Sequence, residues 1–191
     1  MRAGGPWRFD QCDVRSCADL ASVALVTLQR ADACLCECAV GGLEPVVMKE
    51  KTRLDTDEVV EMFGEPNSGV ICYDDSWCVM LGCTLEHTGE GGAAVRFSES
   101  SGGLLESCLV QHNDVAVAFN DRVRCAVYSS LFQFNLKGAF YACEDVHQDA
   151  KIEIVDNTIC RNSVLDFESY GVWLGERRPH CLTQRGNREN W

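Results

Sequence analysis

The chain has 191 residues, 46% of them hydrophobic, with 16 Gly, 4 Pro and 13 Cys. That is one domain's worth of chain, apolar enough for a sizeable core and free of low-complexity stretches. Its formal net charge of −12 disfavours nucleic-acid phosphates and anionic lipid headgroups as partners, and no run of eighteen apolar residues marks a membrane span.

In chain order, a short motif keeps returning. A small or polar residue has an apolar residue three positions before it and another two after. It is first met as Phe9-Cys12-Val14 and then as Leu35-Cys38-Val40. The motif recurs as Met80-Cys83-Leu85, Leu105-Cys108-Val110, Val127-Ser130-Phe132 and Ile154-Asn157-Ile159. Five residues beyond the last four markers stand Thr88, Asn113, Asn135 and Asn162, and those markers step by 25, 22 and 27 residues. Between the motifs lies a second one, small–apolar–any–apolar: Ser22–Leu25, Gly69–Cys72, Ala94–Phe97, Ala116–Phe119, Ala139–Ala142 and Gly171–Leu174. Apolar residues at alternate positions form a strand with one buried face. A repeat of roughly 20–30 residues built of such strands is a solenoid. It leaves no room for crossover helices, so successive coils stack about 4.8 Å apart as a parallel β-helix.

Several strings carry a family resemblance: ESCLVQHNDVAVAF, YSSLFQFNLKGAFYA and VDNTICRNSVLDFESYGVWL. They resemble the right-handed parallel β-helix repeat, over residues 7–176. The opening WRFDQCDV, with CECAVGG at the end of the next coil, is most similar to the intracellular β-helix region of F-box-only and spindle-associated Shc-binding proteins. The resemblance implies an all-β, right-handed parallel β-helix of about six to seven coils. No F-box lies within these residues, so ligase-adaptor function is not implied. A leucine-rich repeat has a similar period, but its LxxLxLxxN spacing is lacking.

The step from Cys38 to Cys83 is 45 residues, about one coil too long. The excess, at 44–68, reads as an insertion, either a degenerate coil or a projecting loop. Asp55 and Glu58 form a capping-box pattern, with Val59, Met62 and Phe63 on one face of a short helix ending at Gly64. The β-helix domain is expected over 1–176, and 177–191 as an irregular tail. Abrupt ends at both termini suggest a module of a longer chain.

An odd number of cysteines without an apolar leader points to a reducing, cytoplasmic setting. Cys34-x-Cys36-x-Cys38 is the one metal-like cluster, but the corner cysteines read as structural thiols. No cofactor and no metal site is therefore expected.

Setting the coils in register brings out an acidic row. Asp74, Glu99, Asp121, Glu144 and Glu176 stand two residues beyond the second motif, with Thr27 in that place in the first coil. Arg122 and Arg177 lie one place further on. Like charges on neighbouring strands repel. The row must then be well solvated, partly neutralised by Arg122, or matched by a basic partner. A second column, His87, His112, Phe134 and Arg161, precedes the polar corner. Turn residues and packed ladders explain both rows without a ligand.

Function divides among three classes, one of them a purely structural spacer between domains of a longer chain that has no partner. Polysaccharide lyases, hydrolases and epimerases share this architecture, and glycoside hydrolysis requires two opposed carboxyl groups. The polygalacturonase and pectate-lyase patterns are missing, however, and an acidic row repels polyuronates. The reading is a non-catalytic scaffold for a protein or peptide partner of basic character. The expected partner-binding residues are Asp74, Glu99, Asp121, Arg122, Glu144, His87, His112 and Phe134. A carbohydrate-active β-helix is the alternative.

Overall fold

A computed structural model describes residues 7–11, 13–15, 24–29, 32–37, 39–41, 68–86, 92–142, 146–162, 173–174 and 182–190. Among these residues every regular element is a strand, and every strand pairing is parallel. The strands form three sheets. Sheet I stacks Trp7–Asp10, Asp32–Cys36, Trp77–Leu81, Gly102–Glu106, Arg124–Tyr128, Lys151–Val155 and Leu182–Arg185. Sheet II stacks Asp13–Arg15, Ala39–Gly41, Thr84–Glu86, Leu109–Gln111, Leu131–Gln133, Thr158–Cys160 and Arg188–Asn190. Sheet III stacks Ala24–Gln29, Ser68–Tyr73, Ala93–Phe97, Val115–Phe119, Gly138–Ala142 and Trp173–Leu174. The chain visits sheets I, II and III in turn, which makes an all-β solenoid of parallel sheets.

The first motif sets the register of sheets I and II. Phe9, Leu35, Met80, Leu105, Val127 and Ile154 stand opposite one another, as do Val14, Val40, Leu85, Val110, Phe132 and Ile159. Leu35, Met80, Leu105, Val127, Leu85, Val110, Phe132 and their neighbours fill the interior. A phenylalanine stack runs up the same core. Phe97 and Phe119 rings lie 6.4 Å apart and Phe119 and Phe140 rings 6.3 Å apart, nearly parallel in both pairs.

Each corner turns on one residue of positive φ. Between sheets I and II these are Gln11, Glu37, Gly82, Ser107, Ser129, Asp156 and Gly186. The marker comes next, and it is a hydrogen-bonding residue more than a space filler. Cys83, Cys108 and Asn157 donate to the carbonyls of Leu35, Met80 and Val127 in the preceding coil, at 3.2, 3.4 and 2.9 Å. Ser130 and Asn157 in turn accept the backbone N–H of the preceding marker, at 3.0 and 2.8 Å. Free thiols are thus backbone donors here. Burial also pushes the Cys125 thiol well up, and a hydrogen bond with Cys72 followed by burial does the same to Cys78, so both remain protonated.

Three expectations need correction. The stretch 177–191 is not irregular throughout: Leu182–Arg185 and Arg188–Asn190 continue sheets I and II, with Asn187 as a further marker that donates to the Ile154 carbonyl at 2.8 Å. In the first coil of sheet III, Val26, Thr27 and Leu28 face Val70, Ile71 and Cys72. Thr27 therefore lies inside the strand, three places from the acidic row. At the other end Trp173 faces Phe140, so this strand is displaced by one residue from the expected pairing of Val172. A one-residue slip exchanges the two faces. The insertion at 44–68, apart from the start of the strand Ser68–Tyr73, lies outside the described residues, as do Cys12 and Cys38.

Candidate partner-binding corners

Sheet III decides which surfaces are open. Val95 and Phe97 point into the core, so Arg96 between them points outward, as do Ile71 and Ala118 opposite it. All three are nonetheless buried, at 0% exposure for Ile71, 6% for Arg96 and 1% for Ala118. The outer face of sheet III is covered at these three positions, and Tyr141, next in the column, is half-buried. Its two bordering corners carry the two expected columns.

The acidic row follows sheet III. Asp74, Glu99 and Asp121 have φ of 56, 58 and 61°, so each occupies the left-handed region, which Asp tolerates better than Glu. The paired strands keep them in register. Their carboxylates work within the stack. The Asp74 N–H donates to Glu99 Oε2 at 3.1 Å, and the Glu99 N–H donates to Asp121 Oδ2 at 3.0 Å. Side-chain hydrogen bonding with Asp74, then burial and the Asp74 charge, raise the Glu99 pKa above its ordinary 4.5. Backbone amides thus relieve part of the mutual repulsion, and the rest raises the Glu99 pKa. Arg122, expected to neutralise the row, is exposed and makes no ion pair with it among the described residues; its own N–H donates to the Glu99 carbonyl at 2.9 Å. Glu144 and Glu176 lie outside the described residues.

The raised Glu99 pKa has a consequence for stability. In the native state Glu99 holds its proton at pH values where the unfolded chain has released it, so the native state binds more protons there. Stability attributable to Glu99 is then present below pH 4.5 and lost as pH rises through the raised value. Thermal melts from pH 4 to pH 7 should show Glu99→Gln gaining on the unsubstituted chain as pH rises. A constant offset would contradict a raised Glu99 pKa.

The second column precedes sheet III. His112 and Phe134 rings stack at 5.3 Å with 5° between planes, and the Arg161 guanidinium carbon sits 5.6 Å from the Phe134 centroid. Their φ values are 56, 55 and 52°. Positive φ is common for Asn or Asp but strained for a ring as bulky as phenylalanine. The asparagine next in the chain after each of them explains the corner. Asn113, Asn135 and Asn162 form an inward amide ladder, in which Asn113 donates to Asn135 Oδ1 at 3.0 Å and Asn135 to Asn162 Oδ1 at 2.8 Å. His87 lies outside the described residues. The structure therefore brings His112, Phe134 and Arg161 together, and separately Asp74, Glu99 and Asp121. A strand of sheet III, about 13 Å from first to last residue, separates the two groups. One narrow ligand cannot lie along both.

A third surface is the outer face of sheet I, which the expected site did not include. Trp77 is 42% exposed and lies over Gly102, where any Cβ would collide with its ring. Arg124 and Lys151 continue that column, and Tyr128 Oη donates to Glu153 Oε2 at 2.5 Å on the same face. That hydrogen bond, ahead of burial, pushes the Tyr128 pKa up. Alternation counted from the inward Met80, Val127 and Ile154 is the sequence signal that marks these outward positions. Among the described residues no three His, Cys, Asp or Glu side chains are grouped to hold a metal ion, and no helix is long and apolar enough to cross a membrane. No family model, no curated protein and no solved structure matches the chain.

Proposed function

We propose that the chain is a non-catalytic, cytoplasmic interaction scaffold, a right-handed β-helix of six to seven coils resembling the β-helix region of F-box-only proteins. Seven strands in each of sheets I and II support that coil number. Its partner is a protein or peptide segment rich in Lys and Arg, held along the acidic row. The observation that carries this reading is the register of Asp74, Glu99 and Asp121, one carboxylate per coil at about the 4.8 Å strand spacing. Glu144 continues the row in sequence. One amide occupies one carboxylate oxygen of Glu99 and of Asp121, while a carboxylate offers about four acceptor positions. A net charge of −12 adds long-range attraction for a basic segment. Arg122 sets the boundary of the row, and His112 with Phe134, extended in sequence by His87, forms a separate stacking edge.

The test is a fluorescence-anisotropy titration with a labelled Lys/Arg peptide. The protein is compared with a variant carrying Asp74→Asn, Glu99→Gln, Asp121→Asn and Glu144→Gln. Each amide keeps an oxygen for the backbone N–H, so the coil stack is preserved. The expected result is at least tenfold weaker binding and a flatter dependence on salt. Equal affinity at low salt would remove the row as the binding surface. Trp77 over Gly102 favours the second reading, a carbohydrate-active β-helix, because an exposed indole is a platform for a sugar ring. Oligosaccharide binding lost in Trp77→Ala and unchanged by salt would support it.

A further inference from the structure

Cys34 and Cys36 differ from most of the other described cysteines, and from the half-buried Cys160 in having a second thiol beside them. Cys72, Cys78, Cys83, Cys108 and Cys125 are buried, whereas Cys34 and Cys36 are half-buried on the strand Asp32–Cys36. Leu35 between them fills the core, so both thiols point to the outer face of sheet I. The equivalent outward positions in the next coils hold Val79 and Leu81, then Leu104 and Glu106. No packing need common to the coils asks for sulfur there. The two Sγ atoms nevertheless lie 3.4 Å apart.

That distance suits a bridging ion better than a disulfide. Residues two apart on an extended strand have Cα atoms about 6.8 Å apart, at the far limit of disulfide geometry. A tetrahedral ion with metal–sulfur bonds of about 2.3 Å sets its sulfurs about 3.8 Å apart, so a small rotation of either thiol completes the chelate. Soft thiolates select soft d10 cations. Charge balance favours a divalent one: the ion displaces one proton from each thiol to solvent and leaves a neutral bis-thiolate. The apolar pair Val79 and Leu81 borders one side. On the other side stand Arg8 and Asp10, already paired with each other at 2.9 Å.

We propose that Cys34 and Cys36 form a two-thiolate site for one soft divalent cation of the zinc and cadmium class, with solvent completing its coordination. It departs from the expectation that the chain has no metal site, and it is independent of the acidic row. Because the ion must displace a proton from each thiol, occupancy should rise with pH.

The experiment titrates Cd2+ alone into the reduced, metal-free whole chain and follows the ultraviolet thiolate-to-cadmium absorption and the protons released. The expected result is saturation at one ion with two protons released. Cys34→Ser and Cys36→Ser should each weaken binding at least tenfold, while Cys38→Ser and Cys160→Ser bind within twofold of the unsubstituted chain. Unchanged affinity in either Cys34→Ser or Cys36→Ser would overturn the proposal, and so would loss of binding in Cys38→Ser. Because a variant could misfold, the unsubstituted chain is also treated with phenylarsine oxide, which bridges two thiols with loss of water. Fragment masses that place the bridge on Cys34 and Cys36 support the site, and a bridge on any other pair overturns it.

Discussion

Asn135→Ala is expected to lower the unfolding free energy by about 3–4 kcal/mol, the sum of orphaned groups at about 1–3 kcal/mol each. Asn135 is completely buried. Its Oδ1 accepts the Asn113 backbone N–H at 3.2 Å, and its Nδ2 donates to the Val110 carbonyl at 3.2 Å. Alanine removes both contacts where water cannot replace them. The Asn113 side chain fares better, because it also donates to the Leu85 and Gln111 carbonyls. Asn162 makes the same kind of bonds but is only half-buried, so Asn162→Ala should cost about 1 kcal/mol, the net worth of a bond that water can replace. Denaturant unfolding of the two variants measures the difference directly. Equal losses would mean that the ladder is not a desolvated structure.

Gly103→Ala is expected to be at least as damaging, at about 3 kcal/mol or more, which places it at the upper end of overpacking. A Cβ on Gly103 would overlap the Cys78 carbonyl oxygen of the neighbouring coil and stand 3.0 Å from Phe97 Cε1. Backbone on one side and a packed core ring on the other leave neither neighbour free to move. The melting temperature should fall by about 10 °C, at about 2–4 °C per kcal/mol for a chain of this size. Gly82→Ala separates space from backbone conformation. Its φ is 62°, but the nearest atom to an added Cβ is Glu37 Cγ at an ordinary 3.6 Å. Only the conformational cost of about 1–2 kcal/mol should appear. A milder effect at Gly103 than at Gly82 would contradict the packing of sheet I.

The contrast between these residues also explains what the sequence made legible. The first motif registered correctly along sheets I and II because it is pinned twice per coil, by inward residues on both sides of a hydrogen-bonding corner. Where one pin was replaced, the motif vanished from view. Asn187 went unrecognised because Gln184 and Glu189 stand opposite Ile154 and Ile159, where earlier coils carry only apolar residues. The second motif has a single strand to anchor it. In residues 21–28 nearly every side chain is apolar, so several alignments satisfy the alternation, and the observed one lies three residues from the expected one. The middle of the acidic row was legible for the same reason as the core: Val70, Val95 and Val117 hold its strands in phase. Its hydrogen bonds to backbone amides were not, because they depend on a left-handed corner at Asp74, Glu99 and Asp121 that carries no glycine. Nor did period or composition reveal that the outer face of sheet III is covered at Ile71, Arg96 and Ala118, between the acidic and aromatic columns.

The most direct test of the account is a carboxylate-resolved NMR titration of the chain with and without a saturating Lys/Arg peptide. A basic segment seated on the row should draw the raised Glu99 pKa back toward its ordinary value and shift the Asp74 and Asp121 carboxylate signals. Glu106 and Glu153, on the outer face of sheet I, should stay within error of their unbound positions. If the Glu106 and Glu153 signals move while the three row residues do not, the partner sits on sheet I and the acidic row is a structural ladder alone.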